Sequence, residues 1–174
     1  MSLLLIAQYG ILGGLLSEID KLEDRYTGRY EFVACVLAVI ASLLMGYLIV
    51  TDISSAIIFS AILVGVVIGG KVDNLPFLLG ALIIGGAILT RVMYADFLSI
   101  APLPIALAFA ALVDEYGNDR IGKIPSGLMQ WFFLHRFTLK LAIFAIAYLE
   151  VIDIWHFLGF LTFDLAYEIN ASRM

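Results

Sequence analysis

Residues 128–149 read LMQWFFLHRFTLKLAIFAIAYL, and this stretch decides the fold. A helix of about 20 apolar residues, rising about 1.5 Å per residue, is long enough to cross a bilayer. The stretch nevertheless carries His135, Arg136 and Lys140 in its first half. If the membrane boundary lies near Leu128, Arg136 lies roughly 12 Å inside it, where a cation costs at least ~2.5–3.5 kcal/mol. Because Arg136 and Lys140 share one helix face, we expect other segments to supply anionic partners.

The composition indicates a membrane protein. Hydrophobic residues make up 63% of the 174-residue chain, whereas soluble domains contain about 45–50%. The apolar runs are unbroken rather than alternating, which predicts an all-α, polytopic transmembrane helix bundle in contact with membrane lipids, and not a barrel. The net charge of −5 argues against nucleic acid as a partner. The single cysteine, Cys35, excludes an intrachain disulfide.

The apolar runs divide residues 1–174, taken as a single transmembrane domain, into seven expected helices. The expected ranges are 3–17, 30–50, 56–70, 76–93, 97–113, 128–149 and 154–166. Six helices are the alternative, if the first or the last only lies in the membrane interface. Pro102 and Pro104 predict a kink in the fifth helix.

The basic residues predict the orientation of the bundle. Loops after the first, third and fifth helices hold most of the lysines and arginines: Lys21, Arg25, Arg29, Lys71, Arg120 and Lys123. Loops after the second, fourth and sixth helices hold at most Arg91. The positive-inside rule therefore predicts a multi-pass protein of the cell membrane, with the N-terminus outside and the odd-numbered loops and C-terminus in the cytoplasm.

Carboxylates recur at the predicted cytoplasmic ends of the helices. Clustered Asp and Glu oxygens suit a hard cation such as Mg²⁺ or Mn²⁺. We therefore predict a metal site formed by Asp20, Asp24, Asp73 and Asp114, with Asp73 and Asp114 also as catalytic candidates. The alternative is that these residues are ordinary solvated acids at a membrane surface.

The basic residues of the opening stretch suit a phosphorylated substrate. Arginine can grip a phosphate with two hydrogen bonds, and lysine can act on it as a point charge. We therefore predict that Arg136 and Lys140 bind substrate and that His135 is a catalytic candidate. The alternative is structural: Arg136 and Lys140 pair with Asp114, Glu115 or Asp73 and hold the bundle together.

Two short strings resemble a known family. Residues 13–21 read GGLLSEIDK and residues 135–138 read HRFT. These strings are similar to G-x-L-L-P-D-x-D-H and H-R-G-x-T-H in a family of membrane-bound metal-dependent hydrolases. This chain has Ser17 and Glu18 where that family has Pro-Asp and Lys21 where it has His, and the second His of H-R-G-x-T-H is absent. The resemblance therefore does not assign the chain to that family.

The leading functional hypothesis is a divalent-metal-dependent enzyme, a hydrolase or transferase, acting on a phosphorylated lipid or isoprenoid at the cytoplasmic leaflet. A small cation or proton-coupled transporter, or a non-catalytic membrane subunit, is the alternative. An enzyme should bring acids and bases to one cleft with apolar walls, and a transporter should have a polar path to the midplane. Glycines suited to close helix packing also permit a homo-oligomer: Gly65, Gly69, Gly80, Gly85 and Gly86.

Overall fold

The structure, a computed structural model, describes residues 2–26, 30–93, 101–120 and 127–171, without the side chains of residues 24–26, 119, 170 and 171. These residues form helices and no strands, so the predicted all-α bundle is confirmed. The helices are α1 (Ser2–Tyr26), α2 (Glu31–Thr51), α3 (Ile53–Ile68), α4 (Leu75–Val92), α5 (Pro102–Asp119), α6 (Leu128–Leu134), α7 (Phe137–Tyr148) and α8 (Ile154–Ala171).

Three of the described helices, α1, α2 and α4, are long and apolar enough to cross a membrane. A fourth span is added if α6 and α7 count as one, so the predicted number of seven is not confirmed. Large apolar side chains point outward from the bundle, as on α4, where Leu82 is 65% exposed. Such a surface fits contact with lipid. The orientation across the membrane stays a prediction.

The stretch 128–149 is not one continuous helix. It is broken at His135 and Arg136, and the axes of α6 and α7 differ by 74°. Arg136 has φ 50° and ψ 50°, the left-handed conformation, which no residue inside an α-helix adopts. A straight membrane span from 128 to 149 was therefore a wrong expectation, and Arg136 lies in a turn.

The fifth helix also differs from its prediction. It begins at Pro102 and continues to Asp119, so Asp114 and Glu115 lie on a helix and not in a loop. Pro102 and Pro104 are in its first turn, where the missing N–H groups would be unpaired in any case. Residues 97–100, with which the predicted helix begins, lie outside the described residues, so the kink stays a prediction.

Close helix packing explains several of the glycines. A Cβ on Gly13 of α1 would overlap the backbone carbonyl of Phe163 on α8, so these two helices touch through their backbones. A Cβ on Gly65 would lie 3.1 Å from Ala111, and one on Gly80 would lie 2.9 Å from the Ser42 hydroxyl. Helix packing is therefore the role of these glycines. Gly85 and Gly86 face open space, so these two glycines could form the helix contacts of the predicted homo-oligomer.

The helices run alternately between two ends of the bundle. At one end, Tyr167 near the end of α8 bonds to Asp20 near the end of α1, and Lys71 after α3 bonds to Glu115 on α5. We call this the charged end. At the opposite end, His156 at the start of α8 bonds to Asp52 between α2 and α3. We call this the His156 end. The order of the chain thus brings the acids and bases of distant segments together.

Candidate functional site

A cleft of about 110 Å³ opens at the charged end between α3, α5, α7 and α8. Lys71 and Arg136, which are about half exposed, line it together with Asp114, Glu115 and Asp164. Its remaining walls are almost wholly apolar and are formed by Ile62, Gly65, Val66, Ala111, Leu139, Phe160 and Phe163. The lining of the cleft therefore combines two cations and three carboxylates with apolar residues.

Asp114 holds the start of α7. It is 2% exposed, and its two carboxylate oxygens accept the backbone N–H groups of Thr138 (2.9 Å) and Leu139 (2.7 Å). Both N–H groups belong to the first turn of α7, which has no partner for them within the helix. A negative charge at a helix N-terminus is also favoured by the helix dipole. Asp114 on α5 thus caps a helix that begins more than twenty residues later in the sequence.

Glu115 lies between two cations in the lining of the cleft. One of its oxygens is 2.9 Å from the Lys71 ammonium, and the other is 3.6 Å from the Arg136 guanidinium. The Lys71 and Arg136 side chains are about half exposed, at 53% and 44%. Glu115 was one of the three partners proposed for Arg136 from the sequence, and it is the one that the structure selects. At this exposure and distance the Arg136 pair is weak, about 0–1 kcal/mol.

Lys140 is held much more tightly. Its ammonium lies 2.6 Å from Asp164 and 3.6 Å from Glu168, and it donates a 2.6 Å hydrogen bond to the carbonyl of His135. The Lys140 and Asp164 side chains are only 13% and 15% exposed. The described lining of the cleft does not include Lys140. Lys140 therefore joins α7 to α8 and closes the turn that precedes α7.

His135 lies beside this network rather than in the cleft. Its Nδ1 is 3.5 Å from Glu168, and its ring stands edge-on to Trp131, with 5.2 Å between centroids. The side chain is about one-third exposed. A carboxylate at this position can orient the imidazole, so His135 stays a candidate for proton transfer to a molecule bound next to Arg136.

The three predicted metal ligands whose side chains the structure describes, Asp20, Asp73 and Asp114, are not brought to one point. Asp20 accepts a hydrogen bond from Tyr167, and both oxygens of Asp114 accept backbone N–H groups. Asp73 is exposed, 3.4 Å from the Asn74 amide, and is not among the residues that line the cleft. The Asp24 side chain lies outside the described residues. Within the described part of the chain no group of three or more His, Cys, Asp and Glu could hold a metal ion. The Mg²⁺ or Mn²⁺ site stays a prediction.

A second polar network, which the sequence did not predict, lies at the His156 end. His156 Nε2 is 2.8 Å from an Asp52 oxygen, which also accepts the backbone N–H of Ser55 at 2.6 Å. The fully buried Tyr9 donates its hydroxyl to Ser55 Oγ at 3.0 Å. Burial alone would raise the pKa of Asp52, but the hydrogen bonds from His156 and Ser55 outweigh it and lower the pKa below its ordinary value. The only signal in the sequence was a histidine inside an apolar run.

Comparison of this chain with protein-family models, with curated proteins and with solved structures gave no match.

Proposed function

We propose that this protein is a membrane enzyme that acts on a phosphorylated lipid or isoprenoid bound at the charged end. The observation that supports this best is the composition of the cleft: its lining combines two half-exposed cations, Lys71 and Arg136, with three carboxylates and a set of apolar residues. The anionic head group of an amphiphile matches the two cations, and its tail matches the apolar residues. In this proposal the head group lies against the two cations and the first carbons of the tail lie between α3 and α8.

The contrast between Arg136 and Lys140 supports a binding role for Arg136. The Lys140 ammonium is 2.6 Å from the Asp164 carboxylate, which is only 15% exposed, whereas the Arg136 guanidinium is 3.6 Å from Glu115 and half exposed. A guanidinium in a weak ion pair can exchange its partner at small cost. Two oxygens of a phosphate can each accept a hydrogen bond from the guanidinium, and the phosphate carries a larger negative charge than a carboxylate. We therefore expect a lipid phosphate to displace Glu115 from Arg136.

The backbone of Arg136 is the second support. A non-glycine residue in the left-handed region costs about 1–3 kcal/mol, and such residues cluster at functional sites. The strained turn holds the guanidinium in the lining of the cleft, next to the start of α7. Asp114 and Lys140 act as positioning residues here, because they fix the two backbone segments on either side of that turn.

The metal requirement is a separate part of the hypothesis. The described acids do not fit a metal ion as they stand, because both oxygens of Asp114 and one of Asp20 already accept hydrogen bonds. No step of the reaction is therefore assigned to a metal. Release of phosphate from a radiolabelled polyprenyl phosphate, with and without Mg²⁺ or Mn²⁺, measures both the activity and its dependence on metal.

The second candidate is a cation or proton-coupled transporter, and the break between α6 and α7 favours it. Discontinuous helices form the substrate sites of many transporters, with a helix N-terminus facing the substrate. In this chain the N-terminus of α7 is taken by Asp114. A proteoliposome flux of protons or cations that is lost with Asp114→Asn would favour the transporter over the enzyme.

The binding experiment compares Arg136→Met with Arg120→Met. Arg120 is an exposed arginine at the same end, stacked 3.8 Å from the centroid of the Tyr116 ring and absent from the described lining of the cleft. Thermal melts in nanodiscs with and without phosphatidate or polyprenyl phosphate give the result. A ligand at a hundred times its Kd stabilises the folded state by about 2.7 kcal/mol.

We expect Arg136→Met to lose this stabilisation and Arg120→Met to keep it, with both variants about as stable as wild type without ligand. A strong loss of stability in Arg136→Met without ligand, recovered by adding Glu115→Gln, would instead assign Arg136 a purely structural role.

A further inference from the structure

Three carboxylates line the cleft at the charged end, and two of them are fully engaged. Both oxygens of Asp114 accept backbone N–H groups of α7. The two oxygens of Glu115 each lie beside a cation. Asp164 differs, because it is bound through Oδ2, which lies 2.6 Å from the Lys140 ammonium. Among the described residues, its Oδ1 has no hydrogen-bond or ion-pair partner. One carboxylate oxygen of the cleft is therefore available.

The position of Asp164 makes this oxygen accessible to a molecule in the cleft. The Asp164 side chain is 15% exposed and lines the cleft, whereas Lys140, which binds Oδ2, is not among the described lining residues. Oδ1 is not one of the fully buried atoms that lack a partner, so part of its surface is accessible. Lys140 thus holds the carboxylate by one oxygen and leaves the other for a bound molecule.

The surroundings of Asp164 suit a base. Asp164 lies on α8, which is not among the candidate membrane spans. Burial raises the pKa of its carboxyl group above the ordinary value, although the hydrogen bond and charge of Lys140 and the charge of Arg136 lower it. A carboxylate with a raised pKa is a stronger base, and the Lys140 ammonium favours its ionised form. The effect of Arg136 also means that the guanidinium and this carboxylate lie close enough to interact.

The size of the cleft limits the second reactant. Its volume is about 110 Å³, and in the proposed function the head group and the first carbons of the lipid occupy part of it. A water molecule takes up about 30 Å³ in the liquid, much less than an alcohol or a nucleotide acceptor. Water is therefore the phosphate acceptor that the remaining space fits.

We propose that Asp164 is the general base of this cleft and that water is the acceptor, which makes the enzyme a hydrolase and not a transferase. This inference rests on the proposed function. Oδ1 takes a proton from a water molecule, whose oxygen forms a bond to the phosphorus of the phosphate bound by Arg136. The bond between phosphorus and the lipid oxygen breaks, and that oxygen leaves with the electron pair. It then receives the proton from Asp164, so the products are a lipid alcohol and inorganic phosphate.

The first measurement follows the oxygen atoms. The full chain, in phosphatidylcholine nanodiscs that contain a polyprenyl monophosphate, is assayed in water labelled with oxygen-18, and both products are analysed by mass spectrometry. We expect one labelled oxygen in each released phosphate and none in the alcohol. Label in the alcohol would mean that the carbon–oxygen bond breaks and would overturn the mechanism.

The variants Asp164→Asn and Glu168→Gln form a matched pair. Glu168 lies one turn further along α8 and contacts the same Lys140 ammonium at 3.6 Å, but it is not among the described residues that line the cleft. We expect Asp164→Asn to lower kcat at least about a hundredfold, as loss of a general base does, with KM and the stabilisation by lipid phosphate unchanged. Glu168→Gln should keep the kcat of wild type.

Thermal melts without lipid phosphate test whether the variants fold. Asp164→Asn leaves Lys140 with Glu168 and the His135 carbonyl, so we expect a folded protein. If it does not fold, the double variant Lys140→Met/Asp164→Asn, in which neither charge of the pair remains, takes its place and should show the same loss of kcat.

The outcomes separate this inference from the proposed function. Equal kcat values for the Asp164 and Glu168 variants, or a fall in kcat no larger than the loss of lipid-phosphate binding, would overturn the role of Asp164 alone. Wild type that is stabilised by the lipid phosphate but releases no inorganic phosphate would overturn hydrolysis and leave the binding site. Neither stabilisation nor release would overturn the proposed function itself, and this inference with it.

Discussion

Replacing Asp114 tests the origin of the broken helix. The carboxylate is 2% exposed and is the partner of two N–H groups in the first turn of α7, at 2.9 and 2.7 Å. In Asp114→Ala both donors lose their acceptor. A buried donor left without a partner costs about 1–3 kcal/mol, and loss of a negative charge at a helix N-terminus costs about 0.3–1 kcal/mol. The expected loss in the free energy of unfolding is therefore about 3–5 kcal/mol.

The isosteric change Asp114→Asn separates the charge from the shape. The amide keeps one oxygen acceptor but turns its own donors toward the second N–H. We expect a loss of about 2 kcal/mol, the range of one hydrogen bond to a charged group. Asp73→Asn is the matched control, because Asp73 is an exposed acid at the same end. Surface changes of this kind usually stay within about 0.5 kcal/mol.

The assay is reversible unfolding by SDS in mixed micelles, followed by far-UV circular dichroism. Hydrogen exchange at Thr138 and Leu139 gives a local reading of the same cap, and we expect these amides to exchange faster in both variants. The reasoning is refuted if Asp114→Asn is as stable as Asp73→Asn, or if global stability falls while these amides keep their protection. Either result would mean that Asp114 does not hold the start of α7.

Three further predictions concern the packing of the bundle. Lys140→Met should cost about 3–5 kcal/mol because it leaves the Asp164 carboxylate buried without its cation, and adding Asp164→Asn should recover most of that loss in thermal melts. Gly13→Ala should destabilise strongly, since its Cβ overlaps the backbone of α8, whereas Gly86→Ala, which faces open space, should be neutral or stabilising. Stability should fall as the pH drops below the ordinary pKa of aspartate, because the lowered pKa of Asp52 contributes stability above that pH and loses it as the carboxylate is protonated. Asp52→Asn should flatten this part of the pH profile, and an unchanged profile would contradict the role of the Asp52–His156 pair.

Much of the architecture was accessible from the sequence. Unbroken apolar runs predicted a helical bundle, because a buried or lipid-covered backbone must satisfy its hydrogen bonds internally. The alternation of helices also placed Lys71, Glu115 and Arg136 on the same predicted side of the bundle, and in the structure all three line one cleft. Because a cation inside a membrane needs an anionic partner, the sequence also predicted that Arg136 would have one. These inferences depend only on local composition and on the order of the helices along the chain.

The tertiary structure decided the details on which function depends. Hydropathy could not show the break at Arg136, because the α7 N-terminus is stabilised by Asp114, which belongs to another helix. Nor could it show that Lys140 is bound tightly and Arg136 weakly, since this depends on distances and exposure. The bond between Asp52 and His156 joins residues 104 positions apart. Local sequence patterns do not predict such contacts, because the packing of whole helices determines which side chains lie next to each other.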